Sequence, residues 1–137
     1  MLHIKHELLA QIHAHGERAY PEEGAGFLVG SGGRVEQILP LPNAREESAR
    51  RNRYLITAEE YARAEETADS LGLSLIGVFH SHPDHPNRPS EFDCEWAQPF
   101  FSYVITSVGS GKAIESRSWK LTEDRSTFDE EEINVSL

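Results

Sequence analysis

The sequence predicts a mixed α/β domain, a central mixed β-sheet flanked by helices. Three observations predict it. Short apolar runs bounded by glycine and proline, at Phe27-Leu28-Val29, Val35 to Leu41, Leu73 to Phe79 and Phe101 to Val108, read as strands. Two longer segments carry helical periodicity, one of them behind a capping signal. The resulting order of helix, strands, helix, strand, short helix and strands is not a strict strand–helix alternation, so the sheet should be mixed rather than parallel. At 137 residues the chain makes one domain, 1–137, since an independent core takes roughly 100–200 residues.

In order along the chain, Ile4, Leu8, Leu9 and Ile12 recur at helical spacing, so residues 3–19 are expected to form an amphipathic helix. Tyr20-Pro21 ends it, because the residue before proline is pushed out of the helical region. Ser31-Gly32-Gly33 is a hairpin-like turn between the first two strands, and Pro40, Pro42 and Asn43 close the second. Residues 44–53 hold four of the ten arginines and little to bury, and read as a solvated loop. Tyr54-Leu55-Ile56 is a third strand candidate. Thr57-Ala58-Glu59-Glu60 matches a capping box opening a helix that runs to Leu71 and stops at Gly72. After Phe101 to Val108, the turn Gly109-Ser110-Gly111-Lys112 leads into the loosely alternating Ala113 to Leu121. The acidic run Asp129 to Glu132 precedes Ile133-Asn134-Val135, which would add an edge strand.

Charge narrows the functions. With 23 acidic and 13 basic side chains the formal net charge is −10, which argues against nucleic acid, whose binding needs a basic footprint, and against an anionic membrane surface. A salt-rich cytoplasm would screen the self-repulsion. The single cysteine, Cys94, cannot form an intramolecular disulfide, which fits a reducing compartment. There is neither a signal-peptide pattern nor an apolar stretch of spanning length, so a soluble, cytoplasmic protein is expected. Gly24-Ala25-Gly26 lacks the third glycine of a dinucleotide-binding loop.

The chemistry concentrates in residues 80–93. His80 and His82 follow the most apolar strand, and on an extended strand residues i and i+2 face the same way, so both imidazoles can converge on one metal ion. A catalytic zinc wants a third protein ligand and an open position. Asp93 is well placed, in the first turn of a helix whose N-cap is Ser90. Ser90-Glu91-Phe92-Asp93 also fits a capping box, and a carboxylate on zinc is expected to cap incompletely, so the two roles compete. Asp84 and His85 read as solvated loop residues. His80 to His85 matches H-x-H-x-D-H and so looks like the metallo-β-lactamase signature, but the chain is short and no histidine follows His85.

The whole pattern resembles the JAMM (MPN+) metalloprotease family, whose motif is an upstream glutamate, H-[ST]-H-P, six residues, then S-x-x-D. Here these are Glu23, His80-Ser81-His82-Pro83, the six residues Asp84 to Pro89, and Ser90-Glu91-Phe92-Asp93. Tyr20 to Gly30 and Leu75 to Phe79 are similar to the flanking strands of stand-alone bacterial members, so the resemblance covers essentially the whole chain. It implies a fold like that of the zinc deaminases, although the two-cysteine deaminase signature is absent. It further implies one Zn2+ per chain on His80, His82 and Asp93, with Glu23 moving the proton of the attacking water and Ser90 steadying the oxyanion. The implied reaction is hydrolysis of an amide after the C-terminal Gly-Gly tail of a ubiquitin-like or ThiS/MoaD-type sulfur-carrier protein. The short connection 83–89 weighs against ubiquitin chains, whose cutters carry insertions there. The alternative is a non-catalytic MPN scaffold that binds partners. The tail is expected to enter extended, adding to an edge of the strand that carries the histidines. Strand parity puts Glu22 and Glu23 on opposite faces without choosing between them, and the family register chooses Glu23.

Overall fold

A computed structural model describes residues 1–137, the side chain of Trp96 excepted. The described residues form β1 (Leu2–Lys5), α1 (His6–Ala19), β2 (Ala25–Ser31), β3 (Arg34–Leu41), α2 (Ala58–Ser70), β4 (Ser74–Pro83), α3 (Glu91–Trp96), β5 (Ser102–Gly109), β6 (Lys112–Leu121), β7 (Phe128–Glu131) and β8 (Ile133–Ser136), with a 3₁₀ turn at Glu47–Ala49. The strands make one eight-stranded sheet in the order β7-β6-β5-β4-β2-β3-β1-β8. β4 runs parallel to β5, and β1 runs parallel to both β3 and β8, while the remaining neighbours are antiparallel. The sheet is therefore mixed, as the order of elements predicts.

Strand parity sorts the core into two layers. Leu28, Phe79 and Val104 point to one face and pack with Ile12, Leu8 and Leu9 of α1. Phe27, Val78 and Tyr103 point to the other and pack with Ala64 and Tyr61 of α2 and with Phe101. The period-2 rule then carries His80 and His82 to the same face as Val78. The β2–β3 hairpin turns through Gly32 and Gly33, both at positive φ (56° and 76°), the conformation a two-residue turn between twisted strands demands.

Several local expectations change. Residues 2–5 are a strand, not the start of the first helix: Leu2 and Ile4 are buried and pair with β8, and tertiary pairing overrides the helical spacing that Ile4 shares with Leu8. Tyr54-Leu55-Ile56 forms no strand, because Asn43 and Ala44 fasten this stretch through Leu55 N–H and C=O. The acidic run contributes β7, a charged edge strand whose Glu131 accepts a hydrogen bond from the Ser118 hydroxyl at 2.7 Å. Residues 44–53 are stitched down rather than merely solvated, Arg50 C=O accepting from Glu23 N–H at 2.7 Å. Both edges of β4 are occupied, by β2 and β5, so an incoming tail has no open edge there.

β4 can sit this deep only because its backbone approaches β5 closely at Gly77. A Cβ at that position would run into the carbonyl oxygen of Ser102 and meet Leu28 Cδ1 at 3.0 Å. Gly77→Ala should therefore lower stability by about 1–3 kcal/mol in urea unfolding. An unchanged midpoint would show that β4 and β5 part freely.

Candidate metal centre

β4 ends at Pro83, and the chain turns at Asp84, whose φ is +56°. Asp84 is exposed, but it is not idle. Its carboxylate accepts from Ser110 N–H at 2.9 Å and from Tyr20 O–H at 2.7 Å, tying the strand end to the β5–β6 turn and to the end of α1. The loop is then anchored by Asn87, which is buried. Its Nδ2 donates to the backbone carbonyl and the carboxylate of Glu115, both at 3.1 Å, and its carbonyl accepts from Trp119 Nε1 at 3.0 Å. This holds Pro86 so that its carbonyl lies 2.8 Å from His82 Nδ1. A carbonyl only accepts, so the proton of His82 sits on Nδ1 and the lone pair of Nε2 faces the interior.

Ser90 opens α3 as an N-cap. Its hydroxyl accepts from Asp93 N–H at 3.2 Å, while its own N–H donates to Asp93 Oδ2 at 2.7 Å, a complete capping box. The same carboxylate reaches both histidines: Oδ1 lies 3.2 Å from His80 Nε2 and Oδ2 lies 3.1 Å from His82 Nε2. The cap does not turn the carboxylate away from the histidines. A carboxylate has about four lone-pair directions, and one N–H at the helix end leaves the others pointing at the histidines. Tyr54 adds an aromatic wall, its ring centred 4.5 Å from that of His80.

The third element is Glu23, just before β2. Ala25 pairs with His80 across β2 and β4, so Glu23 shares the histidines' face and Glu22 does not. The Ser81 hydroxyl, on the opposite face, accepts from Gly24 N–H at 2.8 Å and locks this register. Asn43 Nδ2 donates to the Glu23 carbonyl at 3.0 Å. Donor atoms of Glu23, His80, His82 and Asp93 all lie within 4.8 Å of one another, and all four residues are buried.

The electrostatics follow from burial. Burial pushes the Glu23 carboxyl up to about 8, with Asp93 adding to the rise and His82 opposing it. At Asp93 burial works in the same direction, but His80 and His82 outweigh it and hold the carboxyl below its usual range. Burial lowers His80 despite Asp93, whereas at His82 Asp93, Glu23 and the Pro86 carbonyl overcome burial and raise it. Glu23 Oε1 and His80 Nδ1 have no hydrogen-bond partner among the described residues.

This donor set fits a divalent ion. His80 Nε2 and His82 Nε2 are 3.2 Å apart, and the two histidine–Asp93 separations are 3.2 and 3.1 Å. Ligands at about 2.0 Å on a tetrahedral ion stand about 3.3 Å from one another, and the two histidine nitrogens sit at that spacing from each other and each from its own Asp93 oxygen. A cation among these donors would take the place of the imidazole protons that otherwise hold the Asp93 carboxylate.

The four residues expected at the site, Glu23, His80, His82 and Asp93, are brought together, and Ser90 stands beside them. Sequence reasoning missed Tyr54, Asn87, Trp119 and Asn43. Of these, only the Tyr54 run carried a signal, read as a strand because it is apolar. Asn87 carries the orientation of His82 through Pro86, so Asn87→Ala should weaken divalent-cation binding about tenfold or more with the fold retained. Calorimetric titration checks this, and undiminished affinity would mean that the Pro86 carbonyl needs no anchor.

Comparison with known proteins bears on this centre. The chain is 34% identical over 114 residues to a probable TtuB-protein conjugate cleaving protease of Thermus thermophilus, covering 83% of this chain and 75% of that one. It is 33% identical over 140 residues to the CysO-cysteine peptidase of Mycobacterium tuberculosis, covering 98% and 91%. Among solved structures, a Salinibacter ruber protein is 43% identical with a TM-score of 0.77, over 100% of this chain and 92% of that one. A JAB1/MPN domain protein from Archaeoglobus fulgidus shares the fold, with a TM-score of 0.66 at 21% identity over 100% of both chains. The family model for prokaryotic homologs of the JAB domain (Prok-JAB) matches residues 5–122, and with its mixed sheet and clustered His80, His82, Asp93 and Glu23 the chain belongs to that family.

Proposed function

We propose that the whole chain, 1–137, is a zinc-dependent peptidase that hydrolyses an amide after the C-terminal Gly-Gly tail of a ubiquitin-like, ThiS/MoaD-type sulfur-carrier protein in the cytoplasm. The observation that carries this is a pair of histidine nitrogens 3.2 Å apart, each 3.1–3.2 Å from an Asp93 oxygen, with the buried Glu23 carboxyl beside them. The two relatives, named for cleaving a TtuB conjugate and CysO-cysteine, support the substrate class. No helix is long and apolar enough to cross a membrane, and Cys94 is free.

In this reading His80, His82 and Asp93 hold the zinc. The ion would supply a Lewis acid and bring the pKa of a bound water towards about 7. The chain does the rest. Pro86 and Asn87 keep His82 in the tautomer that presents Nε2. Glu23 is held at its backbone by Arg50 and Asn43; beside a cation it would lose its own proton, leaving Oε1, which has no partner, to accept a proton and pass it to the leaving amine. The Ser90 oxygen accepts from Asp93 N–H, which leaves its hydroxyl hydrogen free to donate to the developing oxyanion. A partner-binding scaffold would have no use for the buried Glu23 carboxylate.

The test is turnover of a carrier fusion ending in Gly-Gly. Glu23→Gln should keep metal and fold yet lose nearly all activity, while Glu22→Gln, partly exposed and outside the cluster, stays within a fewfold of wild type. Ser90→Ala should lose about 1 kcal/mol of stability with its cap and roughly 10²-fold in kcat with its donor. An active Glu23→Gln, or broad cleavage of casein, would contradict the proposal.

A further inference from the structure

The two histidines of the metal centre are held by different means. His82 donates from Nδ1 to the Pro86 carbonyl at 2.8 Å, so a hydrogen bond on the far nitrogen sets its ring. His80 has no such bond: its Nδ1 is closed to solvent and has no partner among the described residues. The second torsion of a histidine is broad, so an imidazole held at one nitrogen alone can turn and carry that nitrogen off its target. What meets the His80 ring instead is Tyr54, with ring centroids 4.5 Å apart and planes 31° from parallel. We propose that Tyr54 is the positioning residue of His80, its flat face fixing the imidazole so that Nε2 stays turned toward His82 and Asp93, each 3.2 Å away. The inference rests on the metal-centre reading above, and it gives a role to a residue outside the histidine, serine and aspartate motif.

Tyr54 is itself firmly held. The backbone on both sides of it is fastened: Arg53 C=O accepts from Asn43 Nδ2 at 2.8 Å, Leu55 N–H donates to Asn43 Oδ1 at 3.2 Å, and Leu55 C=O accepts from Ala44 N–H at 3.1 Å. Its ring also packs against the apolar cluster that includes Phe27, Val78 and Tyr103. With Leu55 and Ile56 it lines a cleft of about 220 Å³ that reaches Asp93. A rigid ring seated on that cluster gives His80 a fixed surface to lie against, which a flexible aliphatic side chain would not. Asn43 Nδ2 further donates to Glu23 C=O at 3.0 Å, so one asparagine ties the segment that holds His80 to the acid of the centre.

Two features separate positioning from mere packing. The contact is ring against ring, so it needs the flat face of Tyr54 and not its hydroxyl. It also acts on one histidine only, because the Pro86 carbonyl already holds the other. Tyr61 supplies the comparison. It packs against the same cluster, and its aromatic partners are Phe27, edge-on at 5.1 Å, and Phe101, stacked at 6.4 Å, rather than a histidine. Loss of the Tyr61 ring therefore loosens the same apolar layer without touching the aim of His80.

The experiment uses the full chain, first metal-free and then titrated with zinc. NMR relaxation of the imidazole carbons reads the mobility of each histidine ring, and calorimetry reads zinc affinity. Tyr54→Phe should match wild type in both. Tyr54→Leu should free the His80 ring, leave that of His82 as rigid as before, and weaken zinc binding about tenfold. Tyr61→Leu should keep the rigid His80 ring and the wild-type affinity. Thermal melting checks the fold, and Tyr54→Met, which fills space without a flat face, serves if the leucine variant unfolds. Undiminished zinc affinity in Tyr54→Leu, or a His80 ring as rigid as in wild type, overturns the inference and leaves the metal centre standing. Loss of affinity in Tyr54→Phe would assign the effect to the hydroxyl, and equal loss in Tyr61→Leu would assign it to packing; either overturns it. A His80 ring freed by Tyr54→Leu in a protein that takes up no zinc in any form upholds the positioning and counts against the peptidase reading.

Discussion

The Asp93 carboxylate joins three pieces of chain that nothing else joins so closely. It caps α3 through Ser90 N–H and faces His80 with one oxygen and His82 with the other. α3 has six residues, too few to be stable alone, so its position depends on this cap and on the strand end it reaches. The cap in turn fixes the Asp93 side chain before any ligand arrives. The cap holds the carboxylate with its oxygens towards both histidines, so capping does not turn Asp93 away from them. It also explains why serine and aspartate stand three residues apart here, the reciprocal spacing of a capping box.

Around that carboxylate the fold supplies rigidity from every side. β4 brings the histidines because its register with β2 and β5 is pinned, on the α1 face by Ser81 and at the close approach of Gly77 to Ser102. The loop after Pro83 is short but held at both ends, by Asp84 on Ser110 and Tyr20 and by Asn87 on β6. Residues 44–53 read as a solvated loop, yet Asn43 just before them binds Arg53 and the backbone of Glu23, and Tyr54 just after them stacks against His80. A centre built in this way is preorganised, which is what a metal ligand set and a proton-handling acid both need.

How much of this the sequence disclosed depends on whether local spacing carried the information. The histidine pair follows from strand parity, and both capping boxes follow from residue types three apart; each is visible locally and each is present. Glu23 was legible only through family register, because parity separates it from Glu22 without orienting either, and the missing fact was the pairing of Ala25 with His80. β1 escaped because four residues cannot distinguish period 2 from period 3.6, and its partner β8 lies at the other end of the chain. β7 escaped because a strand of acids at a sheet edge is stabilised by its neighbour β6, not by its own propensity. Tyr54 to Ile56 misled for the opposite reason: apolar residues lining a cleft and apolar residues in a strand look alike in sequence.

The most direct measurement is a titration of metal-stripped protein, with cobalt(II) as a spectroscopic substitute followed by visible absorption and with diamagnetic zinc followed by amide NMR. If His80, His82 and Asp93 stand ready as described, binding saturates at one ion per chain with the intense bands of a four-coordinate site, and the amide shifts stay near residues 23, 80–93 and 54. A weak six-coordinate spectrum, or shifts spread across the sheet, would mean that the ion builds the site rather than finding it, and would contradict the preformed centre.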